Sequence, residues 1–172
     1  MYNFLAPDSI LRSPNHAYTI RSVLGSGGFG ITYRATMQIT SGSDMPVMAV
    51  VAIKEHFLSN DCERDSTTMS VNCSQPARER VERSRRDFAG AARRLMSVAP
   101  GQPNIVQVSE VFDANNTSYY VMEYLDGMTL QDYVRQRGVI TEQEMRGIML
   151  PIVRAVGHLH RNRITHLDIK PA

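Results

Sequence analysis

Short segments in which apolar and polar residues alternate occur along most of the chain, and this pattern is typical of β-strands. A glycine-rich run at residues 25–30 separates two of these segments, and turn-forming residues at 113–117 separate another two. The pattern therefore predicts a five-stranded sheet. Its strands are residues 18–24, 31–37, 47–54, 105–112 and 118–125.

Two further segments repeat their apolar residues at helical spacing, and each predicts an α-helix with one apolar face. They are residues 78–98 and residues 142–160, and Thr141 and Glu144 form a capping box at the start of the second. Pro151 lies too far inside the second helix to be a first-turn proline, so we expect a kink there. The apolar faces consist of Val81, Phe88, Ala91, Ala92 and Leu95 in the first helix and of Ile148, Ile152, Val156 and Leu159 in the second.

Two polar stretches show neither the alternation of a strand nor the spacing of a helix. Residues 1–17 predict an extended leader, and residues 59–77 predict an insertion or a long loop. Cys62 and Cys73 lie in the second stretch without the spacing of a zinc site. We therefore expect free, reduced thiols and no metal site in this part of the chain.

The composition suits a soluble globular domain, since 42% of the 172 residues are hydrophobic and 21% are charged. No apolar run reaches the roughly 18 to 20 residues that a membrane helix needs, and the N-terminus lacks the pattern of a signal peptide. We therefore expect a cytoplasmic protein with no membrane segment in this span. The net charge of +2 gives no general attraction to nucleic acids.

Arginine supplies almost all of the positive charge: of the 19 basic residues, only Lys54 and Lys170 are lysines. Seven arginines lie in the segment from Arg78 to Arg94, but three acidic residues lie among them, and the one aromatic residue, Phe88, is expected in the core. This favours a solvated helix face over a nucleic-acid site. The two lysines are more informative, because a site keeps lysine where it needs a compact charge on a flexible stem.

Residues 25–30 spell the motif G-x-G-x-x-G, which by itself is a weak signal. A dinucleotide-binding site requires a helix directly after the glycines, whereas here the next residues predict a strand. A glycine turn between two antiparallel strands instead lets bare backbone lie against phosphate groups, because no Cβ atoms intervene.

Both lysines lie in motifs that suit phosphate chemistry. Lys54 ends the apolar run Val51-Ala52-Ile53, so its ammonium must reach a cleft or water, and nucleotide phosphates would be a suitable partner. Asp168 and Lys170 lie in the segment His166-Leu167-Asp168-Ile169-Lys170-Pro171. A carboxylate there can take a proton from a hydroxyl while the ammonium steadies the charge that develops on a phosphoryl group. The simpler alternative in each case is a surface lysine, alone or paired with an aspartate.

These three motifs, in this order, resemble those of the eukaryotic-like Ser/Thr protein kinases of bacteria. The resemblance covers residues 18–172 apart from the insertion at 59–77. It implies an α+β, protein-kinase-like fold: a five-stranded antiparallel N-lobe sheet with one regulatory helix, then the first helices of an incomplete helical C-lobe. On this basis residues 1–17 are the leader, residues 18–124 the N-lobe, and residues 125–172 the hinge and partial C-lobe.

The resemblance also implies ATP as the cofactor and assigns roles to individual residues. Asp168 is the catalytic base, and Lys170 steadies the transferred group. Lys54 pairs with the phosphates that the glycine turn covers, and Met122 is the gatekeeper before the hinge. The implied nucleotide-binding residues are Leu24, Gly25, Ser26, Gly27, Gly28, Phe29, Gly30, Thr32, Ala52, Lys54, Met122, Glu123 and Leu125.

Two positions depart from the family pattern. Ala91 stands where the regulatory helix of the family carries the glutamate that pairs with the strand lysine, so Lys54 lacks its expected partner. Glu79 or Glu82 could replace it only if the helix were shifted. Leu167 replaces an arginine that in the family usually receives a phosphorylated activation loop, so we expect no such switch here.

The sequence ends at Ala172, where the metal-binding asparagine of the family would follow, and it contains no D-F-G segment. We therefore expect a truncated chain without its Mg²⁺ ligands, which binds ATP weakly and is itself inactive. The complete protein is expected to transfer the γ-phosphoryl group of ATP to hydroxyl groups of a protein substrate. The alternative is a pseudokinase that serves as a binding or scaffold module. An uncovered apolar face on residues 142–160 would favour a homodimer.

Overall fold

The sheet has six strands in the computed structural model, which describes residues 3–39 and 47–171, and all neighbouring strands are antiparallel. Their order is β1-β2-β3-β4-β8-β7, and β5 and β6 form a separate two-stranded sheet. The strands are β1 (Ile10–Arg12), β2 (Ala17–Gly27), β3 (Gly30–Ile39), β4 (Val47–His56), β5 (Cys62–Arg64), β6 (Val71–Cys73), β7 (Val108–Ala114) and β8 (Thr117–Glu123). The helices are α1 (Arg78–Val98), α2 (Leu130–Arg137) and α3 (Glu142–Arg161).

The chain divides into two compact units. The first consists of Met1–Ser97 and Gln107–Tyr124, and the second of Val98–Val106 and Leu125–Ala172. The first unit therefore contains the whole six-stranded sheet, and the second contains α2 and α3.

All five predicted strands are present as β2, β3, β4, β7 and β8, but the predicted number of strands is wrong. The leader supplies β1, whose residues pair with β2 and whose Leu11 is buried. Residues 59–77, predicted as a loop, form the β5–β6 hairpin and a short 3₁₀ turn at Gln75–Ala77. Strands of three residues are too short to show a period, which explains why the sequence pattern did not reveal them.

The two faces of the sheet have different surroundings. One, here termed the Glu55 face, carries Tyr33, Ile53, Glu55 and Tyr119, all of which are 0% exposed. This face forms the core of the first unit, because the leader, the residues after β4 and the β5–β6 hairpin cover it. They contribute Leu5 and Leu11, Phe57 and Leu58, and Cys62 and Val71, respectively. The opposite face, here termed the Lys54 face, carries the alternate residues of the same strands, since successive side chains of a strand point to opposite sides.

Helix α1 has the predicted boundaries and contacts the Lys54 face through an aromatic ring. The Phe88 ring lies 5.0 Å from that of Tyr120 and 5.5 Å from that of His56. The predicted apolar face of α1 is wrong at one position: Ala91 is exposed, whereas Ala89 is buried. Alanine is small enough to lie on either side of a helix, so its position could not be assigned from the apolar pattern.

The second unit confirms the capping box that starts α3. The Thr141 side chain accepts a hydrogen bond from the Glu144 backbone, and the Glu144 carboxylate accepts one from the Thr141 backbone. The helix continues through Pro151, and the kink expected there stays a prediction. Within the residues that the structure describes, no helix is both long enough and apolar enough to cross a membrane.

Candidate functional site

The glycine motif lies at a tight turn between two antiparallel strands. Strand β2 ends at Gly27 and β3 begins at Gly30, so Gly28 and Phe29 form the turn, and the Phe29 side chain is 79% exposed. The following element is a strand and not a helix, which excludes the dinucleotide-binding arrangement. A Cβ atom added at Gly25, Gly27 or Gly28 would meet nothing within 4 Å, so open space adjoins the backbone there.

Gly30 joins the glycine turn to the strand that carries Lys54. A Cβ atom at Gly30 would lie 2.6 Å from the backbone oxygen of Glu55 and 3.6 Å from Cε of Lys54. Any side chain at this position would therefore push β3 away from β4. Glycine is required here because the two backbones approach each other so closely.

Four of the predicted nucleotide-binding side chains share the Lys54 face. Thr32 lies opposite Lys54 on β3, and Met122 lies opposite Ala52 on β8. These residues are buried or half-buried, so they line a partly enclosed surface with one cation. Leu24 lies beside an irregularity in the pairing of β2, and its side chain is 46% exposed.

Lys54 forms no ion pair with a described carboxylate of its own unit. The two acids that could have replaced the missing helix glutamate do not do so: Glu82 pairs with Arg85 at 3.1 Å, and Glu79 is exposed. The ammonium of Lys54 is thus available to an anionic ligand.

Helix α1 is attached beside Lys54 by His56 rather than by a carboxylate. The side chain of His56 is 2% exposed, and its Nε2 lies 2.9 Å from the Ser84 hydroxyl. Burial and, to a smaller extent, the charge of Arg85 lower the pKa of His56, while Glu82 opposes them. The neutral imidazole is therefore favoured in the folded protein.

The end of β8 is fixed by two hydrogen bonds. The backbone N–H of Glu123 donates to the carbonyl of Gln107 at 3.0 Å, and the Glu123 carboxylate accepts from the backbone N–H of Gln107 at 2.8 Å. Leu125, the other predicted hinge residue, belongs to the second unit, and its side chain is 68% exposed. The Glu123 carboxylate is thus engaged with the chain itself.

The second unit brings Asp168 and Lys170 together. Nζ of Lys170 lies 3.0 Å from Oδ2 of Asp168, and the Asp168 backbone N–H donates to Nδ1 of His166. The carbonyl of Pro171 accepts from the backbone N–H of Gln131, which ties the segment to the first turn of α2. Both charged side chains are exposed, so an incoming hydroxyl group can reach the carboxylate.

Sequence reasoning missed the most deeply buried charged pair in the first unit. The carboxylate of Glu55 and the guanidinium of Arg64 lie 2.6 Å apart, and their side chains are 0% and 1% exposed. A charged residue directly after Lys54 in an apolar strand was the one available signal. Its partner could not be identified, because Arg64 lies in a stretch that shows no period.

Comparison with known proteins connects this arrangement to one family. A family model described as protein kinase domain matches residues 18–172. The serine/threonine-protein kinase PrkC of Bacillus subtilis is 33% identical over 154 residues, which are 90% of this chain and 20% of PrkC. The serine/threonine-protein kinase cds1 of Schizosaccharomyces pombe is 27% identical over 163 residues, or 95% of this chain and 30% of cds1. The chain thus spans less than a third of either relative.

A solved structure supports the same fold. The structure described as PpkA-294 apo form matches with a TM-score of 0.81 and 23% sequence identity. The match covers 99% of this chain and 56% of that one. At this identity the likeness shows the fold alone, an α+β arrangement with an antiparallel sheet in the first unit.

Proposed function

Because the chain belongs to the protein kinase family, we propose that the protein of which it is part transfers the γ-phosphoryl group of ATP to hydroxyl groups of a protein substrate. Relatives that carry the name serine/threonine-protein kinase support this assignment. The observation that carries it is the close approach at Gly30, which places the open glycine turn beside the strand that carries Lys54.

The first unit fits the phosphates of ATP. The turn at residues 25–30 offers bare backbone, and the ammonium of Lys54 offers a positive charge on the adjacent strand. Thr32, Ala52 and Met122 share the Lys54 face and supply apolar or small surfaces for an adenine ring. The role of Leu125 at the adenine edge rests on the family resemblance alone.

The second unit fits proton transfer. In this proposal the Asp168 carboxylate accepts the proton of the substrate hydroxyl, and Lys170, 3.0 Å away, holds the transferred group. Kinases of this family generally use Mg²⁺ with ATP. Among the described residues, however, no group of three His, Cys, Asp or Glu side chains could hold a metal ion. We therefore derive no step through a metal ion.

The cellular compartment and the self-association of the protein are also part of this proposal. Free thiols at Cys62 and Cys73 suit a reducing compartment, and we place the kinase in the cytoplasm. The exposed apolar side chains of Leu150 and Val153 on α3 suit self-association through that helix.

Transfer of radiolabelled phosphate from ATP to a generic protein substrate tests the enzyme assignment in the full-length protein. We expect Asp168→Asn to reduce transfer by roughly 10² to 10⁴-fold, the usual contribution of a general base. His160→Asn changes another exposed polar side chain of the second unit and serves as the matched control. Equal transfer by the wild type and Asp168→Asn would contradict the proposal.

A second function, binding without catalysis, is favoured by one observation. Lys54 has no carboxylate partner among the described residues of its unit, and Ala91 is exposed where the family has its glutamate. A kinase with such a lysine can bind nucleotide and still position it poorly. ATP binding by the full-length protein, with no transfer above the level of Asp168→Asn, would support this scaffold function over the enzyme.

A further inference from the structure

The carboxylate of Glu55 is completely buried, yet all of its hydrogen-bonding capacity is used. It accepts from Nη2 of Arg64 at 2.6 Å on both oxygens, from the Tyr33 hydroxyl at 2.7 Å and from the Tyr119 hydroxyl at 2.6 Å. These four residues, here termed the Glu55 cluster, lie on β3, β4, β5 and β8. A buried charge left without such partners would be strongly destabilising, so the cluster fixes these strands together.

Arg64 extends the cluster into the leader and the insertion. Its Nε donates to the backbone carbonyl of Asn3 at 3.0 Å, and its Nη1 donates to that of Met69 at 2.8 Å. Burial lowers the pKa of Arg64, but the adjacent Glu55 carboxylate, together with Tyr119 and Tyr33, raises it overall. The guanidinium therefore stays charged. It holds the leader, β5 and the loop that contains Met69 against β4.

Glu55 also lies next to both features that are proposed to bind phosphate, namely Lys54 and the glycine turn. Its side chain points away from that of Lys54, because neighbouring residues of a strand lie on opposite faces. Its backbone carbonyl is the atom that a Cβ at Gly30 would approach to 2.6 Å. Restraining Glu55 therefore restrains the backbone of β4, which carries Lys54, and the adjoining strand β3, which follows the glycine turn.

The opposite side of β4 provides no equivalent restraint on Lys54. Helix α1 presents Ser84 and Phe88 to this part of the sheet, and none of the described carboxylates of the first unit pairs with the ammonium. The hydrogen bonds that restrain this part of β4 through a charged side chain thus lie on the Glu55 face.

We propose that the Glu55 cluster is a positioning device for Lys54 and the glycine turn, so that the insertion at 59–77, through Arg64, sets the affinity for nucleotide phosphates. This inference rests on the proposed function, since it concerns the same nucleotide site. Glu55 and Arg64 are positioning residues, because they act through β4 and do not touch the nucleotide.

A purely structural role would give a different result in one measurement, the ratio of ATP affinity to adenosine affinity. Adenosine lacks phosphates and does not need Lys54 or the glycine turn. If the cluster positions these features, loosening it weakens ATP binding and leaves adenosine binding nearly unchanged. If the cluster merely stabilises the fold, both affinities change together.

The experiment uses calorimetric titration of the full-length protein with ATP and with adenosine. Arg64→Lys keeps the charge but loses the two-oxygen contact, and we expect the affinity ratio to fall about tenfold, the effect of weakening one charge-assisted contact with a phosphate group. Tyr119→Phe removes one hydrogen bond and keeps the ring, so it should lower the ratio less and gives an answer even if Arg64→Lys does not fold. Once Lys54→Met is present, adding Arg64→Lys should lower the ratio by less than it does in the wild type, because only the glycine turn is then left to be displaced.

Tyr18→Phe is the matched control, because Tyr18 is also buried and donates to a carboxylate, that of Glu110 on β7, at 2.5 Å. This pair does not adjoin Lys54, and the ratio should stay at the wild-type value. Variants of the Glu55 cluster that unfold at lower temperature but keep the wild-type ratio would overturn the inference. A wild type that binds ATP no more tightly than adenosine would overturn the proposed nucleotide site itself, and the inference with it.

Discussion

Lys54 and Glu55 are neighbours in sequence with opposite environments. Lys54 is half-buried and forms no ion pair with the described residues of its unit, whereas Glu55 is fully buried and accepts hydrogen bonds from three side chains. The difference arises because a strand sends successive side chains to opposite faces, and only the Glu55 face is covered by the leader and the hairpin. At the scale of single residues, the position of a charge relative to the core thus decides whether it is structural or available to a ligand.

His56 should make the stability of the protein depend on pH. Its pKa is lowered in the folded state by burial and by Arg85, whereas in the unfolded chain it lies near 6.5. As the pH falls below about 6.5 the unfolded chain therefore binds more protons, and the free energy of unfolding decreases by up to about 1.4 kcal/mol per pH unit. This loss ends once the folded protein is also protonated.

Urea unfolding between about pH 7 and about pH 5.5 measures this effect, since histidine titrates in this range. His56→Gln removes the titrating group, and we expect a flatter dependence of stability on pH. The matched control is His160→Gln, which changes an exposed histidine on α3 and should leave the slope unchanged. An identical slope in His56→Gln and the wild type would show that His56 does not carry the dependence.

At the scale of elements, long periodic segments could be predicted and short ones could not. Helix α1 has the predicted boundaries, and Thr141 caps α3 as expected, because 20-residue helices repeat their pattern several times. The three-residue strands β1, β5 and β6 contain no full repeat, and they form because Leu11 and Val71 are buried against the larger sheet.

The candidate site, like the secondary structure, could be predicted only in part from the sequence. Motifs whose chemistry is local, such as the glycine turn and the segment of Asp168 and Lys170, could be identified from sequence order. The contact between Gly30 and β4 and the pairing of Glu55 with Arg64 depend on chain segments that meet only in the folded protein. Such long-range contacts leave no periodic signal in one sequence.

The β5–β6 hairpin places its two cysteines opposite each other. Cys62 and Cys73 are directly paired, and the adjoining pair is hydrogen-bonded through the Ser74 N–H and the Asp61 carbonyl. Because bonded and non-bonded pairs alternate, the cysteines occupy a non-bonded pair, in which Cα atoms are about 4.5 Å apart. This distance permits a disulfide.

We expect diamide, which accepts two electrons and two protons from a pair of thiols, to convert the free cysteines into an intramolecular disulfide. Mass spectrometry would show the loss of two hydrogens, and Cys73→Ser would abolish it. Formation of intermolecular disulfides alone would contradict the register of the hairpin.

At the scale of the whole molecule, the second unit exposes apolar residues that a stable monomer would normally cover. On α3 the side chains of Leu150 and Val153 are 47% and 60% exposed, and Val139 before it is 91% exposed. Exposed apolar patches promote association when they are contiguous. The apolar side chains on the Glu55 face of the first unit are not exposed in this way, because the leader and the hairpin cover them.

We therefore expect the 172-residue chain to self-associate at high concentration. Sedimentation velocity should show a mass that rises with concentration, and Val153→Glu should shift the equilibrium toward the monomer. Gln143→Glu, which adds the same single negative charge at an exposed polar position of α3, is the control for charge alone. A monomer at every concentration would contradict the expectation.

The proposed nucleotide site of the first unit is the central claim of this account, and ATP affinity tests it most directly. Calorimetric titration of the wild type, Lys54→Met and Arg21→Met compares loss of the unpaired lysine with loss of an exposed cation on β2 that pairs with Asp8. We predict at least a roughly tenfold weaker affinity for ATP in Lys54→Met, because the lysine proposed to contact the phosphates is lost, and an unchanged affinity in Arg21→Met. Equal ATP affinity in the wild type and Lys54→Met would contradict the account.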